Sequence, residues 1–230
     1  MGGVKIIPVM VADDLGLESL GCDVIISDEQ ATVADLLDAI DQFAGQYLAD
    51  CKGCDGCCRE RAPLIAADIP ALASLLPASE FPAHAVCEAF GEITISKKGA
   101  TDICFRRDAD SGACCLLDTH NKCCTAHPCR AFVCRSHFCI PRSDVLSQLR
   151  KEVVNIGENE LTRLLLAEEA IGAPPLRGQK LAELIAAADY PPNPQSGKTS
   201  YQDIIIEGTI SPKLWQQIKK EGESPSFALL

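Results

Sequence analysis

Four cysteines fall within the eight-residue stretch CKGCDGCC that begins at Cys51, and thiols at this density are the first feature able to do chemistry. Cys51, Cys54 and Cys57 follow Cys-x2-Cys-x2-Cys spacing. The two residues between successive cysteines form a tight turn, so the sulfurs can face one metal centre. We expect Gly53 and Gly56 to supply the unusual backbone angles of this turn and to let amide N–H groups approach the sulfurs.

The close spacing of these cysteines favours one class of metal centre over another. Three ligands at this spacing are typical of the loop that wraps a 4Fe–4S cluster in bacterial ferredoxins, although the fourth cysteine followed by proline is missing here. Zinc sites more often use separated Cys-x2–4-Cys pairs. The run therefore predicts an iron–sulfur cluster, most simply of the 4Fe–4S type, with zinc as the alternative.

A second group of cysteines follows in a stretch without usable periodicity, residues 113–142. Three cysteine pairs in the chain are adjacent in sequence (57/58, 114/115 and 123/124), and neighbouring side chains are expected to point apart and to serve different centres or packing. The second group comprises Cys114, Cys115, Cys123, Cys124, Cys129, Cys134 and Cys139.

Taken together, the stretches CKGCDGCC, GACCLLDTHNKC and PCRAFVC resemble the YkgJ-type cysteine-cluster family, a zinc- or iron-chelating domain, over residues 51–134. That family has a Cys-x2-Cys-x2-Cys-Cys run, then Gly-x-Cys-x2-Leu-Asp before a further cysteine, then Arg-Pro-x2-Cys-Arg-x-Phe-x-Cys. The matching residues here are Cys51, Cys54, Cys57, Cys58, Gly112, Cys114, Leu117, Asp118, Cys123, Pro128, Cys129, Arg130, Phe132 and Cys134.

The resemblance implies metal binding but no particular reaction. His127 replaces the family's arginine, and the stretch between Cys123 and Cys129 is shorter, so His127 or Cys124 could become a ligand. Asp118 is expected to shape a turn or support a ligand. The expected metal ligands are Cys51, Cys54, Cys57, Cys58, Cys114, Cys123, Cys129 and Cys134.

These eight thiols suffice for two four-coordinate zinc ions, for one cubane cluster with thiols to spare, or for two clusters. Cys22 and Cys87 stand alone and are expected to be buried as small hydrophobes. The residues left open as ligands are Cys104, Cys115, Cys124 and Cys139.

Composition bounds the class of protein. A chain of 230 residues, 47% of them hydrophobic, is long enough to bury a core, so its 14 cysteines are not needed to staple a small domain. The N-terminal stretch lacks a secretory cleavage site, and no apolar run reaches the roughly 18 residues of a membrane span. We expect a cytoplasmic protein with reduced thiols, where cysteine clusters bind metal more often than they form disulfides.

Charge is unevenly distributed along the chain. The net charge is −11, yet residues 51–151 carry thirteen basic and eleven acidic side chains. Metal-bound thiolates are anionic, so cations around them would offset that charge. The overall acidity and an aromatic content of 5% argue against a nucleic-acid partner. We expect a redox or protein partner and no membrane association.

Periodicity predicts an α+β fold with an irregular, cysteine-rich, metal-organised centre flanked by helices and a few short strands. The predicted segments are an acidic strand–helix unit at 1–50, a cysteine-cluster metal-binding domain at 51–142 and a mainly helical region at 143–230. Ser27 and Gln30 form a capping-box pattern. Strands are expected at 4–11, 22–27, 92–96, 103–107 and 201–208, and helices at 27–51, 68–76, 181–188, 212–220 and from Ser143, the last either continuous or broken near Gly157.

Two functional hypotheses follow. The first is an iron–sulfur protein that serves electron transfer or a cluster-dependent reaction. The alternative is a zinc-stabilised binding or scaffold module without catalytic activity, since structural zinc can supply folding energy alone. No Ser/His/Asp arrangement or zinc-protease helix is visible, so the sequence leaves enzymatic activity open.

Overall fold

The computed structural model describes residues 3–12, 15–48, 53–96 and 99–219. Within these ranges helices and short antiparallel strand pairs occur together, which confirms the α+β class. The helices are α1 (Val33–Tyr47), α2 (Ile69–Ala73), α3 (Pro82–Phe90), α4 (Phe132–Arg135), α5 (Asp144–Ala170), α6 (Ile206–Thr209) and α7 (Pro212–Ile218). The strands are β1 (Val4–Ala12), β2 (Glu18–Ile26), β3 (Gly91–Ile95), β4 (Thr101–Phe105), β5 (Leu117–Asp118) and β6 (Cys123–Cys124).

Strands β1 and β2 form an antiparallel hairpin in which Pro8 lies opposite Cys22. Pro8 lacks a backbone N–H, and the two-stranded sheet tolerates it because β1 has β2 on one side only. Alternate residues of β2 (Cys22, Val24 and Ile26) are buried and form the inner face of the hairpin. Both predicted strands are present and extend further along the chain than expected.

Helix α1 begins later than the sequence pattern indicated. Thr32 is the N-cap, its side chain accepts a hydrogen bond from the Asp35 backbone N–H, and the Asp35 carboxylate accepts one from the Thr32 N–H. The prediction of a capping box at Ser27 and Gln30 is therefore wrong. The Ser27 hydroxyl instead donates to the carbonyl of Gly3, which ties the end of β2 to the start of β1.

Strands β3 and β4 form the predicted hairpin around Gly99, which adopts φ +80° in the turn. Helix α5 is one continuous helix of 27 residues, so Gly157 does not break it. A Cβ added at Gly157 would lie 2.6 Å from Cβ of Ile65, so the glycine allows the helix to approach Ile65 closely.

Two hydrophobic cores lie along α5. The first contains the inner face of β2, the apolar stripe of α1, α7 and the N-terminal half of α5, including Leu146 and Leu149. The second contains α3, β4 and the C-terminal half of α5, including Leu161 and Leu165. Because α5 contributes to both cores, it fixes the two halves of the molecule relative to each other.

The cysteine-rich segment also contributes to these cores, which differs from the expectation that metal replaces hydrophobic packing there. Phe132 has 0% of its surface exposed and packs in the first core, together with Phe138. Ala131 packs in the second core. The segment is therefore anchored by apolar side chains, and its cysteine-bearing turns lie against that frame.

Two C-terminal predictions are wrong. Residues 181–188 form two 3-10 turns rather than a helix, and the carboxylate of Glu169 accepts from the backbone N–H groups of Leu181 and Ala182. Residues 201–208 form a 3-10 turn followed by α6 rather than a strand. Ile204 and Ile206 of the apolar run there are buried, whereas Ile205 is exposed, and the run lies beside the start of α1, where the Val33 N–H donates to the Ile204 carbonyl. In the described ranges, no helix has both the length and the apolar character needed to cross a membrane.

Candidate metal centre

Thiols from four separate chain segments converge at one place. Each of them is partly buried and has at least one of the others as an electrostatic or hydrogen-bonding neighbour, and we call the group the thiol cluster. Its members are Cys57, Cys58, Cys114, Cys115, Cys124 and Cys134.

Backbone hydrogen bonds bring the first two segments together. Cys57 and Cys58 open a 3-10 turn (Cys57–Arg59), and the carbonyl of Cys58 accepts from the N–H of Cys114 at 2.8 Å. The N–H of Cys115 donates to the carbonyl of Arg106 at 2.9 Å, directly after β4. The hairpin β3–β4 thus positions the 114/115 pair against the first cysteine run.

The glycines of the first run behave differently from each other. Gly53 has φ +79°, a conformation that favours glycine, as expected for the turn before Cys54. Gly56 has helical backbone angles and caps the 3-10 turn, so the expectation of unusual angles there is wrong.

The small hairpin β5–β6 carries the third segment. Leu117 pairs with Cys124, and the Thr125 N–H donates to the Leu116 carbonyl at 2.8 Å. The carboxylate of Asp118 shapes the connecting turn by accepting from the backbone N–H groups of His120 and Asn121. One of the two roles expected for Asp118, that of a turn residue, is confirmed.

A buried carboxylate positions the fourth segment. Asp68 accepts from the N–H of Phe132 at 2.8 Å, from the N–H of Ile65 at 2.8 Å and from the hydroxyl of Tyr201. The Phe132 contact fixes the start of α4, which carries Cys134. The Asp68 side chain therefore joins its own segment to two distant ones, at Phe132 and Tyr201.

The two thiols of each adjacent pair in this cluster shift each other's pKa in opposite directions. The hydrogen bond from Cys58 lowers the pKa of Cys57 to about 6, and donating it raises the pKa of Cys58. The hydrogen bond from Cys114 likewise lowers the pKa of Cys115 to about 7. Each pair can therefore hold one thiolate beside one thiol near neutral pH.

Burial and like charge act on the rest of the cluster. Burial, followed by the charge of Asp68, raises the pKa of Cys134 to about 12. Burial also raises the pKa of Cys124, and the thiol of Cys114 adds to this effect. Ionising these thiols together requires compensating positive charge, which a bound cation would supply.

Backbone amides point at two of the sulfurs. The N–H of Leu116 donates to the sulfur of Cys114, and the N–H of Ala126 donates to the sulfur of Cys124. Amide hydrogen bonds to sulfur stabilise thiolates and tune metal centres built from them.

Arginines surround the cluster. Arg130 acts on Cys57 and Cys124, Arg107 on Cys114, and Arg106 on Cys115, each lowering the thiol pKa by its positive charge. The Nε atom of Arg130 is buried and has no hydrogen-bond partner among the described residues. A buried donor of this kind is costly unless an anionic group faces it.

Further positive charge lies behind Cys134. Arg150 of α5 donates to the Ser136 hydroxyl at 3.0 Å and to the Val133 carbonyl. Burial, followed by repulsion from Arg142, lowers the pKa of Arg150 to about 10, whereas a Cys134 thiolate would raise it. An anionic centre at Cys134 would therefore be stabilised from this side as well.

Of the eight expected ligands, four belong to the thiol cluster: Cys57, Cys58, Cys114 and Cys134. Cys115 and Cys124, which the sequence left open, join them, and their approach depends on tertiary contacts that spacing cannot reveal. Cys54 and Cys123 are exposed, and the sulfur of Cys129 lies 3.9 Å from the Ser74 hydroxyl. Cys51 lies outside the described residues.

The remaining cysteines and His127 divide between the interior and the surface. Cys22 and Cys87 are 0% and 2% exposed, which confirms their expected burial. Cys104 is buried on β4, and its sulfur accepts a hydrogen bond from Nε of Arg61 at 3.2 Å. Cys139 and His127 are exposed.

The donor set of the cluster fits a thiophilic metal, because it consists of sulfur alone and is supported by amide donors and an unpartnered buried guanidinium nitrogen. In the ranges that the structure describes, no three cysteine, histidine or carboxylate side chains lie close enough to hold an ion as they stand. Coordination would require thiols to change χ1 rotamer, which moves a sulfur without moving the backbone.

Comparison of the chain with protein-family models, with curated proteins and with solved structures gives no match. The resemblance to the YkgJ-type family therefore stays a prediction from the quoted motifs.

Proposed function

We propose that this chain is a cytoplasmic metal-binding protein whose thiol cluster holds an iron–sulfur centre, used for electron transfer or for a cluster-dependent reaction. The observation that carries the proposal is the convergence of six thiols from four chain segments in a setting rich in arginine. The resemblance of the three cysteine motifs to a metal-chelating family supports the same conclusion.

The ligands are drawn from the thiol cluster, with Cys57, Cys114 and Cys134 each supplied by a different segment. Cys51, Cys54, Cys123 and Cys129 complete the set that the sequence predicts, as ligands of the same or a second centre. When bound, such a centre supplies one-electron chemistry, or a Lewis-acidic iron where a thiolate is lacking. The chain itself contributes amide N–H donors and guanidinium charge, which favour the anionic, thiolate-bound form.

An iron–sulfur centre is preferred because Cys51, Cys54 and Cys57 follow Cys-x2-Cys-x2-Cys spacing, which is typical of the loop that wraps a 4Fe–4S cluster, whereas zinc sites more often use separated pairs. The arginines at positions 106, 107 and 130 would offset the negative charge of bound thiolates in either kind of centre. An electron-transfer role would further imply a redox partner that docks near the cluster.

A zinc-stabilised scaffold is the second candidate. It is favoured by the fact that the cluster joins the 3-10 turn at Cys57, the loop after β4, the β5–β6 hairpin and α4, which belong to no common sheet or helix. A structural ion at such a junction would cross-link these turns and stabilise the fold without any reaction.

The decisive experiment is to purify the full chain without oxygen and to measure iron, acid-labile sulfide, zinc and the visible spectrum. We expect iron and sulfide in stoichiometric amounts, together with a broad absorbance band at the blue end of the visible spectrum. Stoichiometric zinc in a colourless protein without sulfide would replace the iron–sulfur proposal by the scaffold. Protein without bound metal would contradict both.

Paired variants test the assignment of ligands. Cys114→Ser should remove half or more of the bound metal, because Cys114 acts electrostatically on Cys58, Cys124 and Cys134, one thiol in each of the three other segments of the cluster. Cys22→Ser is the matched control, since Cys22 is buried and its thiol donates only to the Pro141 carbonyl, a contact that serine keeps. Equal loss of metal in both variants would show that the division between ligands and packing cysteines is wrong.

A further inference from the structure

An open cleft of about 670 Å³ lies beside the thiol cluster. Its volume falls within the range of small-molecule sites, roughly 300–1,000 Å³. The residues of its lining that matter for chemistry are Arg59, Arg106, Arg107, Asp108, Cys114 and Cys115.

Two of the three cleft arginines are held in place by the protein. Arg59 donates to the Asp55 carboxylate at 2.8 and 3.0 Å and to the Ser111 carbonyl at 2.7 Å, so its charge is matched by Asp55. Arg106 donates to the Ala89 carbonyl at 3.0 Å, a contact that fixes the side chain, and within the described ranges no carboxylate forms an ion pair with it.

Arg107 stands apart from the other two. Its side chain is exposed, and among the described residues its guanidinium has no hydrogen bond or ion pair. Its backbone pairs with Cys114, so the guanidinium is tethered at the rim of the cleft where it can act on the thiol of that residue. All five of its N–H donors are available to a ligand.

One carboxylate also lines the cleft. Asp108 accepts from the Ser111 N–H and hydroxyl, each at 2.8 Å, and these hydrogen bonds hold the pKa of Asp108 below its usual range, so its side chain is anionic at neutral pH. This single negative charge offsets only part of the positive charge of Arg106 and Arg107, which leaves an excess of positive charge from these three side chains. Planar guanidinium groups bind carboxylate and phosphate oxygens in pairs.

We propose that this cleft binds a small molecule bearing an oxyanion, a carboxylate or a phosphate, between Arg106 and Arg107. The inference deepens the proposed function and rests on it in one respect: the ligand would lie against Cys114 and Cys115, which we assign to the metal centre. It gives that centre a substrate or effector class, namely a small anion rather than a macromolecule.

The test uses the full chain with its bound metal, titrated by calorimetry in low-salt buffer with inorganic phosphate and, separately, with succinate. We expect at least one probe to bind saturably, with one site per chain. Tighter binding of phosphate would indicate a phosphorylated ligand, and tighter binding of succinate a carboxylated one. Arg107→Gln should weaken binding about tenfold or more, the effect of losing a charged hydrogen bond. Lys213→Gln, an exposed cation on α7, should leave binding unchanged.

Each alternative result has a defined meaning. If neither probe binds at millimolar concentration, or if Lys213→Gln weakens binding as much as Arg107→Gln, the cleft proposal is overturned. It is also overturned if Arg107→Gln weakens binding only in proportion to the metal that it loses, because the arginine would then act on the ligand solely through the metal centre. A chain that binds phosphate but contains no metal would support the cleft and contradict the proposed metal centre, so the two failures are distinguishable.

Discussion

Alanine substitutions at two helical glycines, Gly157 and Gly45, should change stability in opposite directions. In α5, a Cβ at position 157 would lie 2.6 Å from Cβ of Ile65 and 2.7 Å from Oε1 of Gln195, whereas ordinary contacts begin at 3.4 Å. In α1, a Cβ at position 45 would have no atom within 4 Å. The two sites share a helical backbone and differ only in what surrounds them.

The magnitudes follow from this difference. Replacing glycine by alanine inside a helix stabilises it by about 0.5–1 kcal/mol, because the unfolded chain loses freedom. Overpacking a core by one carbon costs roughly 1–3 kcal/mol. Gly45→Ala should therefore raise the free energy of unfolding by about 0.5–1 kcal/mol, and Gly157→Ala should lower it by about 1–2 kcal/mol.

The clash at position 157 also affects a buried side chain. Gln195 is 1% exposed and its Nε2 donates to the Val153 carbonyl at 3.0 Å, so the side chain has little room to move away. Urea denaturation of both variants and of the unchanged chain measures the two effects. If Gly157→Ala matched or exceeded Gly45→Ala in stability, the close approach of α5 to Ile65 would be wrong.

Two further predictions concern a buried carboxylate and a helix cap. Burial raises the pKa of Asp68 from 3.8 in the unfolded chain to about 6, so the folded state binds its proton more tightly. Ionisation of this group should therefore lower the free energy of unfolding by roughly 3 kcal/mol as pH rises from about 4 to 6. Denaturation of the unchanged chain and of Asp68→Asn at several pH values measures this effect, because only the unchanged chain should lose this stability as pH rises. Thr32→Ala should lower the free energy of unfolding by about 1 kcal/mol because it removes the capping acceptor of α1, whereas Ser27→Ala should have a clearly smaller effect. Equal losses of unfolding free energy in these two variants would contradict the assignment of Thr32, rather than Ser27, as the N-cap of α1.

Local patterns predicted the elements whose partners are close in sequence. The β3–β4 hairpin follows from two apolar runs around Gly99, and α5 follows from its helical spacing of leucines. The start of α1 was misplaced because Ser27 and Thr32 both carry a hydroxyl with a polar residue three positions later, and only the docking of β2 decides between them. The apolar run at 204–206 was predicted to form a strand, whereas Ile204 and Ile206 are buried in the first core beside the start of α1 without joining a sheet.

The composition of the candidate site could be predicted from the sequence, but its geometry could not. Spacing predicted Cys57 as a ligand, because cysteines at short intervals are typical of metal ligands, and the resemblance to the YkgJ-type family added Cys58, Cys114 and Cys134 to the predicted set. It could not separate Cys115 and Cys124 from other open candidates, because their approach depends on the hairpins that carry them. The cleft arginines also gave no signal, since a basic pair at 106 and 107 looks like an ordinary solvated hairpin end.

The sequence by itself determined the α+β class, helices α1, α5 and α7 apart from the exact start of α1, the β3–β4 hairpin, the burial of Cys22 and Cys87, and the kind of chemistry that a dense set of thiols allows. These features depend on side-chain type and short-range periodicity, which can be read from the sequence alone. Only the tertiary structure decided which thiols meet, that α5 runs through two cores, and that Asp68 joins three segments. Contacts between residues dozens of positions apart depend on how the elements pack, and packing is set by the whole chain together rather than by any one stretch of it.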